Sequence, residues 1–140
     1  MVIDAIDFSH IAYLCLFCSD LERSIAFYHG VLGLTIERRD PEFCKLRTVG
    51  VSLGLEPGGT RVDRQKTRAE NPLLLQFSAA SPAALATMTE HLEAHGVPIT
   101  DRCREMPYGM ITAFLDPDGN RLEIMYDPRV RDDDRPRIAL

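Results

Sequence analysis

Hydrophobic and polar positions along the chain follow two periods. Apolar runs of strand length alternate with a period of two, and two longer segments repeat their apolar positions every three or four residues, as helices do. The predicted helices cover residues 20–32 and 82–95. The predicted strands are 11–18, 34–38, 43–48 and 51–56 in the first half, and 73–79, 97–100, 110–115 and 121–126 in the second. Each half of the chain therefore has the order βαβββ.

Both predicted helices begin at a capping signal. Ser19 opens a Ser-x-x-Glu capping box, and Ser81 is a good N-cap followed by proline at the first helical position. The two serines are 62 residues apart (81 − 19), and the glycines that end the helices, Gly33 and Gly96, are 63 apart (96 − 33). This near-constant offset indicates an internal duplication.

The last two predicted strands form a hairpin. They flank the run Asp-Pro-Asp-Gly-Asn at 116–120, in which proline presets one turn dihedral and glycine supplies a positive φ. Side chains alternate across a strand, so Leu122 and Ile124 share one face while Glu123 and Met125 share the other. Glu123 is therefore the first candidate for a functional side chain.

The chain reads as one domain of 140 residues built from two modules. The first module covers about 8–56 and the second about 73–127. The segment 57–72 is rich in proline, glycine and charge without periodicity, which predicts a linker, and residues 128–140 form a predicted tail. One copy of the repeated βαβββ unit therefore lies on each side of the linker.

The amino-acid composition limits which classes of protein are compatible with the sequence. Hydrophobic residues make up 45% and charged residues 26%, as in soluble globular proteins, and no apolar run is long enough to cross a bilayer. The first eight residues carry two aspartates and lack the basic start of a secretory signal, which favours a cytoplasmic protein. The net charge is −5 with scattered basic residues, which argues against nucleic-acid binding. A small-molecule ligand is the better expectation.

The four cysteines do not form a zinc-binding pattern. Cys15 and Cys18 are one Cys-x-x-Cys, but Cys44 and Cys103 stand alone, so a second pair is missing. Cys15 and Cys18 are also expected on opposite faces of a strand. Free thiols, mostly in the core, are the predicted state, with a redox or metal pair as the alternative.

Two segments of the chain resemble the vicinal oxygen chelate superfamily. These are Asp20-Leu21-Glu22-Arg23-Ser24 with Phe27-Tyr28 and Leu32-Gly33-Leu34, and the run Phe114-Leu115-Asp116-Pro117-Asp118-Gly119-Asn120-Arg121-Leu122-Glu123. The superfamily includes glyoxalase I, bleomycin- and fosfomycin-resistance proteins and extradiol dioxygenases. The resemblance covers about residues 10–127. It implies an α+β fold whose two βαβββ modules form a curved mixed sheet around a cleft, with the helices on the convex face, and a homodimer.

The resemblance also implies four metal-ligand positions, on the first and last strand of each module. Counting back from the helix starts assigns Tyr13 and Leu74 to the first strands. Aligning Gly119 with Gly50 assigns Glu123 to the last strand of the second module and Gly54 to that of the first. Only Glu123 offers a carboxylate, and a single ligand holds a metal weakly. No resident cofactor is therefore expected.

A divalent metal remains the alternative, with Glu123, His10 and Glu56 as candidate ligands. His10 lies three residues before the Tyr13 position and on the opposite face, so it needs a shifted register. Glu56 lies two residues beyond Gly54 on the same face.

Two functions are compatible with the resemblance. The first is a resistance-type protein that binds an aromatic or amphipathic molecule in the cleft, without a tightly bound metal and with Glu123 as a polar group. The second is a metal-dependent lyase, isomerase or dioxygenase that acts on vicinal oxygens and uses Glu123 as ligand or general base. The predicted lining residues, whose ordinary alternative is core or loop, are Tyr13, Leu74, Phe77, Tyr108, Met110, Phe114 and Met125.

Overall fold

The computed structural model describes residues 6–130. The chain divides into two compact units, of which the first runs to Gly59 and the second begins at Thr60. Each unit holds one helical segment and one four-stranded sheet, and its elements follow one another along the chain in the predicted order βαβββ. The α+β class and the two βαβββ modules are thereby confirmed. Within 6–130, every helix is too short or too polar to span a membrane.

The first sheet contains β1 (Tyr13–Cys18), β2 (Ile36–Asp40), β3 (Phe43–Leu46) and β4 (Ser52–Pro57). Its order is β1-β4-β3-β2, in which β1 runs parallel to β4 and the other neighbours are antiparallel. β1 begins two residues later than predicted. The apolar start of the predicted strand lies before the paired region.

The first helix, α1 (Leu21–Ile25), continues into a wider π-helical turn at Ala26–Val31. Its N-cap is Asp20, whose carboxylate accepts a hydrogen bond from the Arg23 backbone N–H at 3.1 Å. The predicted start at Ser19 is therefore wrong by one residue, because aspartate caps a helix as well as serine does. α1 packs against β4, where Leu53 and Leu55 are buried.

The second sheet contains β5 (Leu75–Ser78), β6 (Ile99–Met106), β7 (Gly109–Leu115) and β8 (Arg121–Tyr126). Its order, β5-β8-β7-β6, repeats that of the first sheet, and β5 runs parallel to β8. The second helix, α2 (Pro82–Ala94), begins as predicted at Ser81, whose hydroxyl accepts from the Ala84 N–H at 3.0 Å. The observed N-caps, Asp20 and Ser81, are 61 residues apart (81 − 20).

β6 is longer than the predicted strand at 97–100. The sequence prediction missed its second half because that part is polar and irregular. A bulge near Cys103, where φ is +46°, breaks the alternation that sequence patterns detect. The Cys103 N–H donates to the Thr112 hydroxyl at 3.1 Å, and that oxygen lies 2.7 Å from the Thr89 hydroxyl on α2. Buried hydroxyls therefore join β6, β7 and α2.

The segment predicted as a linker is irregular, but from Thr60 it belongs to the second unit. The Val62 N–H donates to the Asp118 carbonyl at 3.2 Å, and the Lys66 N–H donates to the Gly119 carbonyl at 2.8 Å. The Lys66 side chain is buried, and its ammonium donates to the Thr60 carbonyl at 2.6 Å. Residues 60–66 are therefore docked on the turn between β7 and β8.

An ion pair between Arg64 and Glu70 joins the docked segment to the residues that follow it. Arg64 donates to both carboxylate oxygens of Glu70, at 2.6 and 3.0 Å, and the Thr67 N–H donates to the same carboxylate at 3.0 Å. The Arg64 guanidinium, followed by the Thr67 N–H, lowers the pKa of Glu70 to about 2. The carboxylate therefore stays charged well below the ordinary pKa of glutamate.

Gly119→Ala should undock residues 60–66. Gly119 has φ +87°, and a Cβ there would lie 2.3 Å from the Arg64 carbonyl oxygen. The strained backbone and the clash should lower the free energy of unfolding by about 2 kcal/mol or more in urea denaturation. Hydrogen exchange at the Val62 and Lys66 amides should also become faster.

Gly30→Ala is the matched control for this substitution. A Cβ at Gly30 would meet no atom within 4 Å. Its unfolding free energy should stay unchanged or rise slightly, since alanine favours helix more than glycine does. Equal stability of the two variants would contradict the docking of residues 60–66.

Candidate binding faces

The strand pairs of the second sheet decide which way Glu123 points. Thr112 pairs with Ile124, and the Thr112 hydroxyl contacts Thr89 of α2, so this side of the sheet faces the helix. Glu123 alternates with Ile124 and lies on the opposite side, next to Gln76 on β5. The side of the second sheet opposite α2 is called the Glu123 face below.

Glu123 is buried in a polar cluster. Its Oε1 accepts from Gln76 Nε2 at 3.0 Å, and its Oε2 accepts from Arg121 Nε and Nη2 at 3.1 and 2.9 Å. Arg121 Nη1 also donates to Asp101 Oδ2 at 3.2 Å. Only 7% of Glu123 is exposed, so it is not the solvent-facing glutamate of the simpler alternative. Gln76, Asp101, Arg121 and Glu123 form the Glu123 cluster.

The predicted lining residues of the second module divide between the two sides of its sheet. Met125 lies on the Glu123 face, two residues beyond Glu123 on β8. Leu74 immediately precedes β5 and is 44% exposed. Three others share the α2 side by strand alternation and therefore do not line a surface with Glu123: Phe77, Met110 and Phe114.

Tyr108 lies in the two-residue connection between β6 and β7. The hairpin is tight, since Met106 pairs with Gly109 across it. The Arg129 guanidinium carbon lies 5.7 Å from the centre of the Tyr108 ring, within the range of a cation–π contact. Tyr108 is therefore joined to the segment that follows β8.

The first sheet carries Gly54 where the second carries Glu123. Gly54 pairs with Cys15 on the parallel first strand, as Glu123 pairs with Gln76, and the two partners are 61 residues apart (76 − 15). This spacing equals that of the two helix N-caps. The observed pairing therefore gives the same equivalence of Gly54 and Glu123 as the sequence alignment of the turns.

The Phe43 ring, which contacts Tyr13, and the Cys15 thiol fill the position over Gly54. The rings of Tyr13 and Phe43 are 5.6 Å apart and nearly perpendicular. A Cβ at Gly54 would lie 2.9 Å from Phe43 Cε2 and 3.0 Å from Cys15 Sγ, so a side chain there would displace the ring. The side of the sheet with Tyr13, Cys15, Phe43 and Gly54 is called the Tyr13 face.

The remaining metal candidates, His10 and Glu56, lie in the first unit. His10 lies in the segment before β1, with its side chain 89% exposed and its Nδ1 3.4 Å from Asp7 Oδ2. β1 and β4 pair without a shift from Tyr13 to Cys18, so the register offers His10 no place in the ladder. Glu56 pairs with Phe17, and burial followed by the Glu56 charge raises the pKa of the Cys15 thiol.

The donor groups present do not fit the metal centre that the superfamily implies. Both oxygens of Glu123 are hydrogen-bonded, Gly54 and Leu74 supply no donor, and the Tyr13 ring packs on Phe43. Within residues 6–130, no three His, Cys, Asp or Glu side chains form a group that could hold an ion. The four cysteines are free, with Cys18 and Cys44 buried.

Comparison with known proteins identifies the family. The model of the Glyoxalase/Bleomycin resistance protein/Dioxygenase superfamily matches residues 8–124. This match covers most of the chain, which therefore belongs to that superfamily, the vicinal oxygen chelate group. Among curated proteins, no sequence gives a significant match.

Solved structures share the fold over nearly their whole length. A glyoxalase-related enzyme from Fulvimarina pelagi is 23% identical with a TM-score of 0.72, covering 95% of this chain and 100% of its own. A lactoylglutathione lyase from Agrobacterium tumefaciens is 21% identical with a TM-score of 0.67, covering 84% and 93%. TnmS3, an antibiotic binding protein from Streptomyces sp. CB03234, is 21% identical with a TM-score of 0.65, covering 87% and 98%. These likenesses show the fold alone.

Several side chains of these faces were not singled out by the sequence reasoning, Arg121 and Phe43 among them. Arg121 could have been found, since it lies two residues before Glu123 on the same strand face and carries the opposite charge. Phe43 gave no such signal, because its contact with Gly54 joins two strands whose register the sequence does not fix.

Arg121→Met should destabilise the protein more than its exposure suggests. The substitution leaves the buried Glu123 carboxylate with Gln76 as its hydrogen-bond partner, which should cost about 2–3 kcal/mol in urea denaturation. Arg104→Met is the control: Arg104 is exposed and lies 3.5 Å from Asp101, so its loss should cost less than about 1 kcal/mol. Adding Glu123→Gln to Arg121→Met should restore part of the loss. Equal costs for the two arginines would refute the buried cluster.

Proposed function

We propose that this protein binds a small aromatic or amphipathic molecule on the strand faces opposite its helices, without a tightly bound divalent metal. One observation carries the proposal. At the position equivalent to Glu123, the first module has Gly54 with the Phe43 ring against it, in contact with Tyr13. Tyr13 and Phe43 are both only half-buried, so their rings can contact a ligand.

Proteins of this fold include both a binding protein and an enzyme. One is an antibiotic binding protein and another a lactoylglutathione lyase. The ligand atoms of this chain favour binding over metal-assisted catalysis, because the Glu123 carboxylate is already hydrogen-bonded to Arg121 and Gln76 and the equivalent position, Gly54, offers a metal no side-chain ligand. In this proposal Glu123 is a positioning residue that holds Arg121.

The proposal predicts saturable binding of a neutral aromatic probe. N-phenyl-1-naphthylamine should bind with a rise in fluorescence, and Phe43→Leu should weaken its binding roughly two- to tenfold, because the loss of an aromatic contact costs about 0.5–1.5 kcal/mol. Phe77→Leu is the control, since it makes the same change on the α2 side of the second sheet. Unsaturable binding, or equal affinity of both variants, would exclude the proposed site.

Removal of metal should change neither stability nor binding. A bound ion stabilises a protein through its own binding free energy, so a chelator lowers the melting temperature of a true metalloprotein. Excess EDTA should leave the melting temperature and the affinity for the neutral probe unchanged. A fall of several degrees that one equivalent of zinc or manganese reverses would instead favour the enzyme hypothesis.

We also infer a homodimer, as expected from the superfamily. Three large apolar side chains before β1 are more than half exposed, and such surfaces often cover one another in oligomers: Ile6, Phe8 and Ile11. Light scattering at micromolar concentration should give twice the chain mass of 15.7 kDa. A single-chain mass would remove the dimer from the proposal.

A further inference from the structure

The Tyr13 face carries two cations beside its aromatic pair. The Lys45 ammonium lies 5.5 Å from the centre of the Tyr13 ring, and the Arg38 guanidinium carbon lies 5.2 Å from the centre of the Phe43 ring. Arg38 and Lys45 are opposite each other in the β2–β3 ladder, so both project from this side of the sheet. The cation–π contacts hold the two charges next to the rings.

These cations are incompletely neutralised by nearby acids. Lys45 shares Glu37 with Arg47, at 3.1 and 2.7 Å, so one carboxylate serves two cations. Arg47 and then Lys45 lower the pKa of Glu37, which therefore stays charged. Arg38 has no ion pair with any acidic side chain in the described range 6–130.

Two other acids share the face but lie toward its ends. Asp40 is opposite Phe43 at the end of β2, where its Oδ1 accepts from the Glu42 N–H at 3.0 Å. Glu56 lies opposite Phe17, and burial followed by the charge of Glu56 raises the pKa of the Cys15 thiol. A ligand against the rings therefore meets the positive charges of Arg38 and Lys45, with the negative charges of Asp40 and Glu56 toward the two ends of the face.

We propose that the Tyr13 face selects a planar aromatic molecule with an anionic group, such as a carboxylate or sulfonate. The aromatic part contacts Tyr13 and Phe43, and the anion accepts hydrogen bonds from Arg38 with Lys45 nearby. A guanidinium held against a ring keeps its outer N–H groups in a fixed plane, which suits the two oxygens of such an anion. This inference rests on the proposed function and adds the charge of the ligand.

Two dyes that differ only in one anionic group test the inference. 1-Anilinonaphthalene-8-sulfonate is N-phenyl-1-naphthylamine with an added sulfonate, and the protein has no tryptophan to interfere with their fluorescence. The anionic dye should bind the full chain more tightly than the neutral dye. Arg38→Gln should weaken the anionic dye about tenfold, as loss of a charged hydrogen bond does, and leave the neutral dye unchanged.

Two further variants sharpen the test. Arg68→Gln makes the same charge change at an exposed arginine of the second unit and should leave both affinities unchanged. Glu56→Gln should tighten the anionic dye by roughly two- to threefold, because it removes a nearby like charge. All three variants should keep the wild-type melting temperature, so that binding changes report on the site and not on unfolding.

The possible results separate the two proposals. If the neutral dye binds but the anionic dye binds no better and ignores Arg38→Gln, the selection for an anion is wrong while the proposed function stands. If Arg38→Gln and Arg68→Gln weaken the anionic dye equally, general charge attraction explains its binding and the inference also fails. If neither dye binds saturably, the proposed function itself fails.

Discussion

The parallel pairing of the first and last strand in each module decides which side chains can meet. β1 lies along β4 and β5 along β8, so each residue of a last strand has a fixed neighbour on the first. A slip of one residue would turn Glu123 toward α2 and Ile124 away from it. Burying a carboxylate beside apolar side chains without partners costs several kcal/mol, so the register and the Glu123 cluster support each other.

The two modules use the same backbone position for opposite chemistry. In the second, a buried carboxylate requires donors, and Arg121 and Gln76 supply them. In the first, Gly54 has no side chain that needs a partner. The Phe43 ring and the Cys15 thiol occupy the space next to it. A carboxylate introduced at Gly54 would therefore displace an aromatic ring before it could approach any ion. The two ladders share their pairing, while the side chains on their faces differ.

Sequence patterns predicted the parts of the fold whose signals are local. The N-cap Ser81, the proline after it and the hairpin at 110–126 were all visible along the chain, and α2, β7 and β8 lie where these signals placed them. The second half of β6 was missed because its polar run and the bulge near Cys103 remove the alternation of a strand. The sequence shows that side chains alternate along each strand, but it does not show which side of the sheet α2 covers. Phe114 was therefore predicted to line the cleft, whereas it lies on the side that faces α2.

The docked segment 60–66 shows why composition misleads about linkers. Proline, glycine and charge signal the absence of regular structure, but irregular backbone still needs partners for its N–H groups. The turn at 116–120 supplies them. Asp116 Oδ1 accepts from the Asp118 and Asn120 N–H groups at 2.9 Å each, which shapes the turn, and the carbonyls of Asp118 and Gly119 accept from Val62 and Lys66. The motif Asp-Pro-Asp-Gly-Asn, which carried much of the family resemblance, thus has a structural role here: it shapes the turn that precedes β8 and holds residues 60–66 on the second unit.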